Sequence, residues 1–158
     1  MDGAHELVET VAEEFTMHFG RRKVGALDIE GNPEAESALV TIGTIGETAL
    51  ELLESDEDLL LVRMHAFRPF PAQALTEALA RVSYVSIVDR APAFGSLGPV
   101  GADLLASVDL RHVKAARDFV GGLGGTDVTP ETLRWVLEQT RSSEAPRAFT
   151  PVTIPEGV

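Results

Sequence analysis

The chain has 158 residues, 44% of them hydrophobic, which is one domain's worth and enough to bury a core. With 25 acidic against 13 basic side chains its formal net charge is −12, which argues against a phosphate backbone or an anionic membrane surface as partner. It contains no cysteine, so it supplies no disulfide, no thiol nucleophile and no thiolate ligand for an iron–sulfur cluster.

Residues 5–19 place Val8, Val11, Ala12, Phe15 and Phe19 on one helical stripe, with Gly20 as its stop. Arg21, Arg22 and Lys23 follow as a charge complement near the negative end of that helix. Val24–Ile29 predicts a strand, broken by Gly31-Asn32-Pro33. Ala38–Ile42 predicts a second strand. Gly43-Thr44-Ile45-Gly46 leads from it into a helix over 47–54, with Ala49, Leu50 and Leu53 on its apolar side.

After an acidic turn over 55–58, Leu59–Met64 is a nearly unbroken apolar run, too short for a lone helix and suited to a strand covered on both faces of a parallel sheet. Pro69 and Pro71 stop it, and a helix is predicted over 71–82 from Leu75, Ala78, Leu79 and Val82. Tyr84–Val88 is the next strand, ending at Asp89-Arg90, and a loop rich in Pro and Gly runs over 91–99. A helix over 100–108 with Leu104, Leu105 and Val108 inward leads to a strand over 113–120, and then to the glycine-rich segment 121–125. Thr129-Pro130 starts a last helix with a capping hydroxyl and a proline in the first turn, burying Leu133, Val136 and Leu137.

From Ser142, Pro146, Pro151 and Pro155 space out an extended tail. Alternating strands and helices predict an α/β three-layer sandwich with a mostly parallel sheet of about five strands. The chain divides into an N-terminal helix and basic connector (1–23), an α/β domain (24–141) and the tail (142–158). No apolar run approaches a membrane span and no signal pattern opens the chain, so the expectation is a cytoplasmic protein with no membrane and no nucleic-acid partner.

Chemistry-bearing residues gather at predicted carboxyl ends of strands, where open α/β sheets place ligands. Gly43 and Gly46 flank a strand-to-helix turn whose amides suit an anion, although the spacing fits neither a dinucleotide nor a Walker loop, and a tight turn needing glycine is the plainer expectation. Arg68 is placed to pair an anionic group or a partner's carboxylate, and His65 reads as a loop histidine. Asp89 and Arg90 end the next strand, expected beside Arg68, where they order the following loop or face a partner subunit. No catalytic set assembles around any of these residues. Gly95-Ser96-Leu97-Gly98 is not a nucleophile elbow, and His5, His18, His65 and His112 show no metal-ligand spacing, so no catalytic and no metal residue is assigned. In the tail, Phe149, Val152 and Ile154 are apolar anchors, either on a frayed end or on a strand docking across another subunit.

Three segments in register over roughly 38–140 carry a family likeness: Phe67-Arg68-Pro69-Phe70-Pro71; Val88-Asp89-Arg90 with Phe94-Gly95 and Gly98-Pro99; and Val120 to Gly125 with Asp127-Val128-Thr129-Pro130-Glu131. Together they resemble the C-terminal, transketolase-like domain of the 2-oxoacid:ferredoxin oxidoreductases, best the alpha subunit of the pyruvate enzyme. The resemblance implies a complex that decarboxylates a 2-oxoacid, pyruvate first, and passes electrons to ferredoxin. It also implies thiamine diphosphate, magnesium and iron–sulfur clusters in partner chains, with coenzyme A as an acceptor of the complex left open. The chain lacks cysteine and the Gly-Asp-Gly thiamine segment. It is therefore expected to be a non-catalytic structural or assembly subunit, binding no cofactor alone. The alternatives are a stand-alone small-anion-binding module and the equivalent domain of a transketolase or 2-oxoacid dehydrogenase.

Overall fold

The computed structural model describes residues 2–93, 96–144, 152–155 and 157. Leu59–Met64 forms β3, all six residues buried, and the rest of the sheet is laid out around it. Strand β2 (Ser37–Ile42) pairs β3 in parallel, and β1 (Leu27–Gly31) pairs its other edge antiparallel. Strands β4 (Tyr84–Asp89), β5 (Ala115–Val120) and β6 (Val152–Thr153) extend the sheet in parallel, giving the order β1-β3-β2-β4-β5-β6.

The period of two along β3 splits its apolar side chains between two cores. Leu60, Val62 and Met64 face α3 (Ala72–Ala78) and α4 (Pro99–Ser107), packing with Leu75, Val100 and Leu104. Leu59 and Leu61 face α2 (Ile45–Ala49), the 3₁₀ turn Leu50–Glu54 and α5 (Pro130–Arg141), packing with Ile45, Leu52, Leu133 and Val136. Helices cover both faces, which makes the three-layer α/β sandwich. It also explains why the run has no polar alternation. Burying each such side chain contributes roughly 1.5–3 kcal/mol.

Three local outcomes depart from expectation. The sheet has six strands, not about five; the added β6 lies in the tail, where two residues near prolines are too short for any period to mark, and its pairing with Phe119 and Val120 is long-range. Helix α3 ends at Ala78, because Leu79 (φ −90°, ψ 4°) leaves helical geometry and a turn closes from Val82 N to the Leu79 carbonyl. Leu79 and Val82 are still buried, so i, i+3 spacing reports the turn as well as a helix. The helix expected over 47–54 starts at Ile45 and tightens into a 3₁₀ turn from Leu50.

Helix α1 (Asp2–Phe19) stands on the connector that follows it. Lys23 Nζ bridges Glu9 and Glu13, each at 2.9 Å, and Ala26 N donates to Glu9 Oε1 at 3.2 Å. Ala12 is buried, but Leu7, Val11, Phe15 and Phe19 are 46–66% exposed. They form a ridge at i, i+4 spacing that the described residues leave uncovered.

Candidate functional site at the carboxyl edge of the sheet

The chain leaves β2 for β3 on one side and crosses to β4 on the other, so the carboxyl ends of β2 and β4 border a topological switch point. Asp89 ends β4 at 2% exposure and caps α4: Val100 N donates to its Oδ2 at 3.1 Å and Gly101 N at 3.0 Å. Asp118 on β5 pairs in register with Ile87, two residues before Asp89, and so shares its face of the sheet. Gly98 N donates to Asp118 Oδ2 at 2.6 Å.

Burial pushes the Asp118 carboxyl up to about 7, reinforced by the neighbouring Asp89 charge, while the Gly98 amide opposes the shift. Burial raises Asp89 as well, against the opposing amides of Gly101 and Val100 and its bond with Asp118. Burial thus favours the protonated form at both carboxyls, and more strongly at Asp118. A Cβ at Gly98 would strike the Asp89 carboxylate and one at Gly101 the Asp118 carboxylate, so both glycines are needed for the close approach.

Arg90 reaches across the edge and ties two loops together. Its Nη1 donates to Thr44 Oγ1 at 2.9 Å and its Nη2 to the Gly122 carbonyl at 3.1 Å. Between these groups, Ile42, Phe67, Pro99 and Val100 wall a cavity of about 250 Å³ that also touches Asp89 and Arg90.

Arg68, expected at the same edge as Asp89 and Arg90, bonds to neither of them among the described residues; its Nη1 donates to the Phe67 carbonyl at 3.0 Å, the loop-carbonyl bond that was the plainer expectation for it. Arg68 Nη1 lies 2.6 Å from Asp103 Oδ2 on α4, and its guanidinium stacks 3.9 Å from the Phe67 ring centroid. The Gly43–Gly46 segment is a tight turn: Gly46 N donates to the Gly43 carbonyl at 3.1 Å, and Gly43 has a φ of 71°. The Gly46 amide is thus committed within the turn, and the five-residue α2 behind it offers little dipole. Val152 and Ile154, expected either on a frayed end or on a strand docking across another subunit, lie against this chain's own core beside Phe119, with Ile154 N donating to the Val120 carbonyl at 3.0 Å. Phe149 and the Phe94-Gly95 pair fall outside the described residues.

Arg63 was missed among the sequence candidates. Its side chain is 9% exposed and donates to Asp28 Oδ2 at 2.5 Å and Glu47 Oε1 at 2.6 Å, with Glu30 Oε1 at 3.3 Å. Arg22 closes the cluster from the connector by pairing Asp28 and Glu30. The signal was one arginine inside an apolar strand, which must find carboxylates to be buried at all; Asp28 stands opposite it in the β1–β3 register. Among the described residues no group of three His, Asp or Glu is placed to hold a metal ion, and no helix is long and apolar enough to cross a membrane.

Residues 35–133 match the family model for pyruvate:ferredoxin oxidoreductase core domain II. The chain is 30% identical over 150 residues to pyruvate synthase subunit PorA of Methanothermobacter thermautotrophicus, covering 91% of this chain and 38% of that one. It is 30% identical to the PorA subunit of Thermotoga maritima, over 87% of this chain and 36% of the relative. It is also 26% identical to the alpha subunit of NADH-dependent phenylglyoxylate dehydrogenase of Aromatoleum evansii, over 90% of this chain and 36% of the relative. The chain thus spans under two fifths of the length of these relatives. Among solved structures, the 2-oxoglutarate:ferredoxin oxidoreductase of Magnetococcus marinus, with 2-oxoglutarate, coenzyme A and succinyl-CoA bound, shares the fold at a TM-score of 0.56. The identity there is 16%, over 81% of this chain and 21% of that one.

Proposed function

The chain belongs to the pyruvate:ferredoxin oxidoreductase core domain II family, and from that premise we propose that it is a structural and assembly part of a thiamine-dependent 2-oxoacid:ferredoxin oxidoreductase. In this reading the whole complex decarboxylates a 2-oxoacid, with pyruvate the first to test, and reduces ferredoxin. Thiamine diphosphate, magnesium and the iron–sulfur clusters reside in other chains of the complex. The residues present here do not fit those groups: there is no cysteine, the Gly46 amide is spent within its turn, and the buried carboxylates of Asp28 and Asp89 are already committed to Arg63 and to the start of α4. The reading also places the protein in the cytoplasm.

The observation that carries the assembly role is the ridge of α1. Leu7, Val11, Phe15 and Phe19 project from a chain that spans under two fifths of its relatives' length. In water such a ridge favours burial at about 25 cal/mol per Å² of apolar area. Arg21 is exposed beside it, and the groove between α1 and the connector, lined by Val8, Phe15, Arg21 and Val24, holds about 620 Å³. The partner face that fits is apolar with a carboxylate opposite Arg21.

The test is activity in material captured through a tag on this chain from its native extract. The expected result is pyruvate-dependent reduction of ferredoxin or a viologen dye, together with bound thiamine diphosphate and iron. Captured chain with no 2-oxoacid oxidation and no bound iron overturns the reading.

A further inference from the structure

We propose that α1 is a hinged arm latched to the body of the domain by the Glu9 carboxylate, and that breaking this ionic latch swings the helix, with its apolar ridge, out of position. The latch stands apart from the assembly role; only its consequence for a partner rests on that reading.

Packing does not hold the helix. Of residues 3–19 only Ala12 is buried, and no α1 side chain belongs to either hydrophobic core of the sheet. Open space lies beside it instead. The groove of about 620 Å³ is lined by Val8 and Phe15 of α1 and by Val24 of the connector. A second cleft, of about 600 Å³, is lined by His5 and Glu9 of α1 and by Phe70 and Ala74 at the start of α3. A packed seam leaves no such volumes.

Glu9 carries the connection. Among the described residues, α1 side chains bond to the chain beyond the helix only at Glu9 and Glu13. Glu9 Oε2 lies 2.9 Å from Lys23 Nζ, Glu9 Oε1 accepts from Ala26 N at 3.2 Å, and Lys23 also reaches Glu13 at 2.9 Å. The Lys23 ammonium, and after it the Ala26 amide, hold the Glu9 carboxyl below its ordinary range. A Cβ at Gly25 would strike that carboxylate, so bare backbone there is what admits it.

Two features make this a latch and not a fixed joint. The side chains of its ion pairs are 40–63% exposed, and exposed pairs are weak and screened by salt. The chain also has a pivot: Gly20 ends the helix at a φ of 64° with nothing packed over it. Arg22 is pinned to Asp28 and Glu30, which confines the swing to Gly20 and Arg21. Within the arm, the Phe15 and Phe19 rings lie 4.6 Å apart at i, i+4 and support the helix from inside itself. The direction of the ridge is thus set by one carboxylate, and ionic strength governs how the ridge is presented to a partner.

The chain has no cysteine, so Glu14→Cys on α1 and Glu138→Cys on α5 give two spin labels and no others. The experiment is the distance between them by double electron–electron resonance, in the 158-residue chain with no partner present. One narrow distribution is expected in dilute buffer. In about 1 M sodium chloride, where the screening length falls to about 3 Å, it should broaden and move by several ångströms. Glu9→Gln and Gly25→Ala should each produce the same change in dilute buffer, with the far-UV helix signal kept and the melting temperature within a few degrees. A distance left narrow and unmoved by salt or by Glu9→Gln, or a lost helix signal in place of a moved distance, would overturn the proposal. With no partner in the sample, that failure is separable from failure of the assembly role.

Discussion

Asp89 and Asp118, on adjacent strands, grip the same helix start: Asp89 accepts from Val100 N and Gly101 N, and Asp118 accepts from Gly98 N at 2.6 Å. Both carboxyls are buried on one face of the sheet. They fasten the beginning of α4, which walls the switch-point cavity, to the sheet edge that bears Arg90.

That geometry sets the pH dependence of stability. Asp118 is raised from 3.8 to about 7 in the folded chain, so the native state holds a proton that the unfolded chain releases. The stabilisation is complete below about pH 4 and is lost as pH rises through about 7. Thermal melts should therefore fall between pH 5 and pH 8. Asp118→Asn should flatten that fall, because the amide oxygen still accepts from Gly98 and the NH₂ can donate to Asp89. An unchanged slope in the variant would assign the pH dependence to other groups.

Arg63→Met removes the cation that Asp28, Glu30 and Glu47 share. The exposed Glu47 re-solvates, but Asp28 stays buried with Arg22 and, at 3.9 Å, His65 Nε2 beside it. Breaking a buried pair from one side costs about 3–5 kcal/mol, to be read from urea unfolding. Adding Asp28→Asn should recover part of that loss, and a cost below about 1 kcal/mol would show the cluster to be solvated.

Thr129→Ala removes the hydroxyl that accepts from Thr132 N at 3.2 Å and caps α5. The expected loss is about 1 kcal/mol in the same unfolding assay, with Thr129→Ser restoring most of it.

The sequence disclosed the parts of the fold whose signals are local. β3 is unbroken and apolar because helices cover both its faces, and Thr129-Pro130 announces α5 because capping needs only four residues. It concealed what depends on register. Nothing near Asp118 in the chain says that it meets Asp89 under α4. Arg63 was passed over inside a run read for its apolarity. Arg68 was placed beside Asp89 on loop position alone, whereas its partner Asp103 comes from a helix 35 positions later. β6 escaped because a two-residue strand is recognised only by the edge it joins.

The assembly claim is tested most directly by the mass and composition of the complex captured with the wild-type chain and with a Val11→Asp/Phe15→Asp chain. The account predicts that the wild type carries thiamine-binding and iron–sulfur chains in fixed ratio. It predicts that the variant comes down alone with its melting temperature within a few degrees, because both side chains are about half exposed in this fold (53% and 46%). A wild-type chain recovered alone as a colourless monomer, or a variant that keeps every partner, would contradict it.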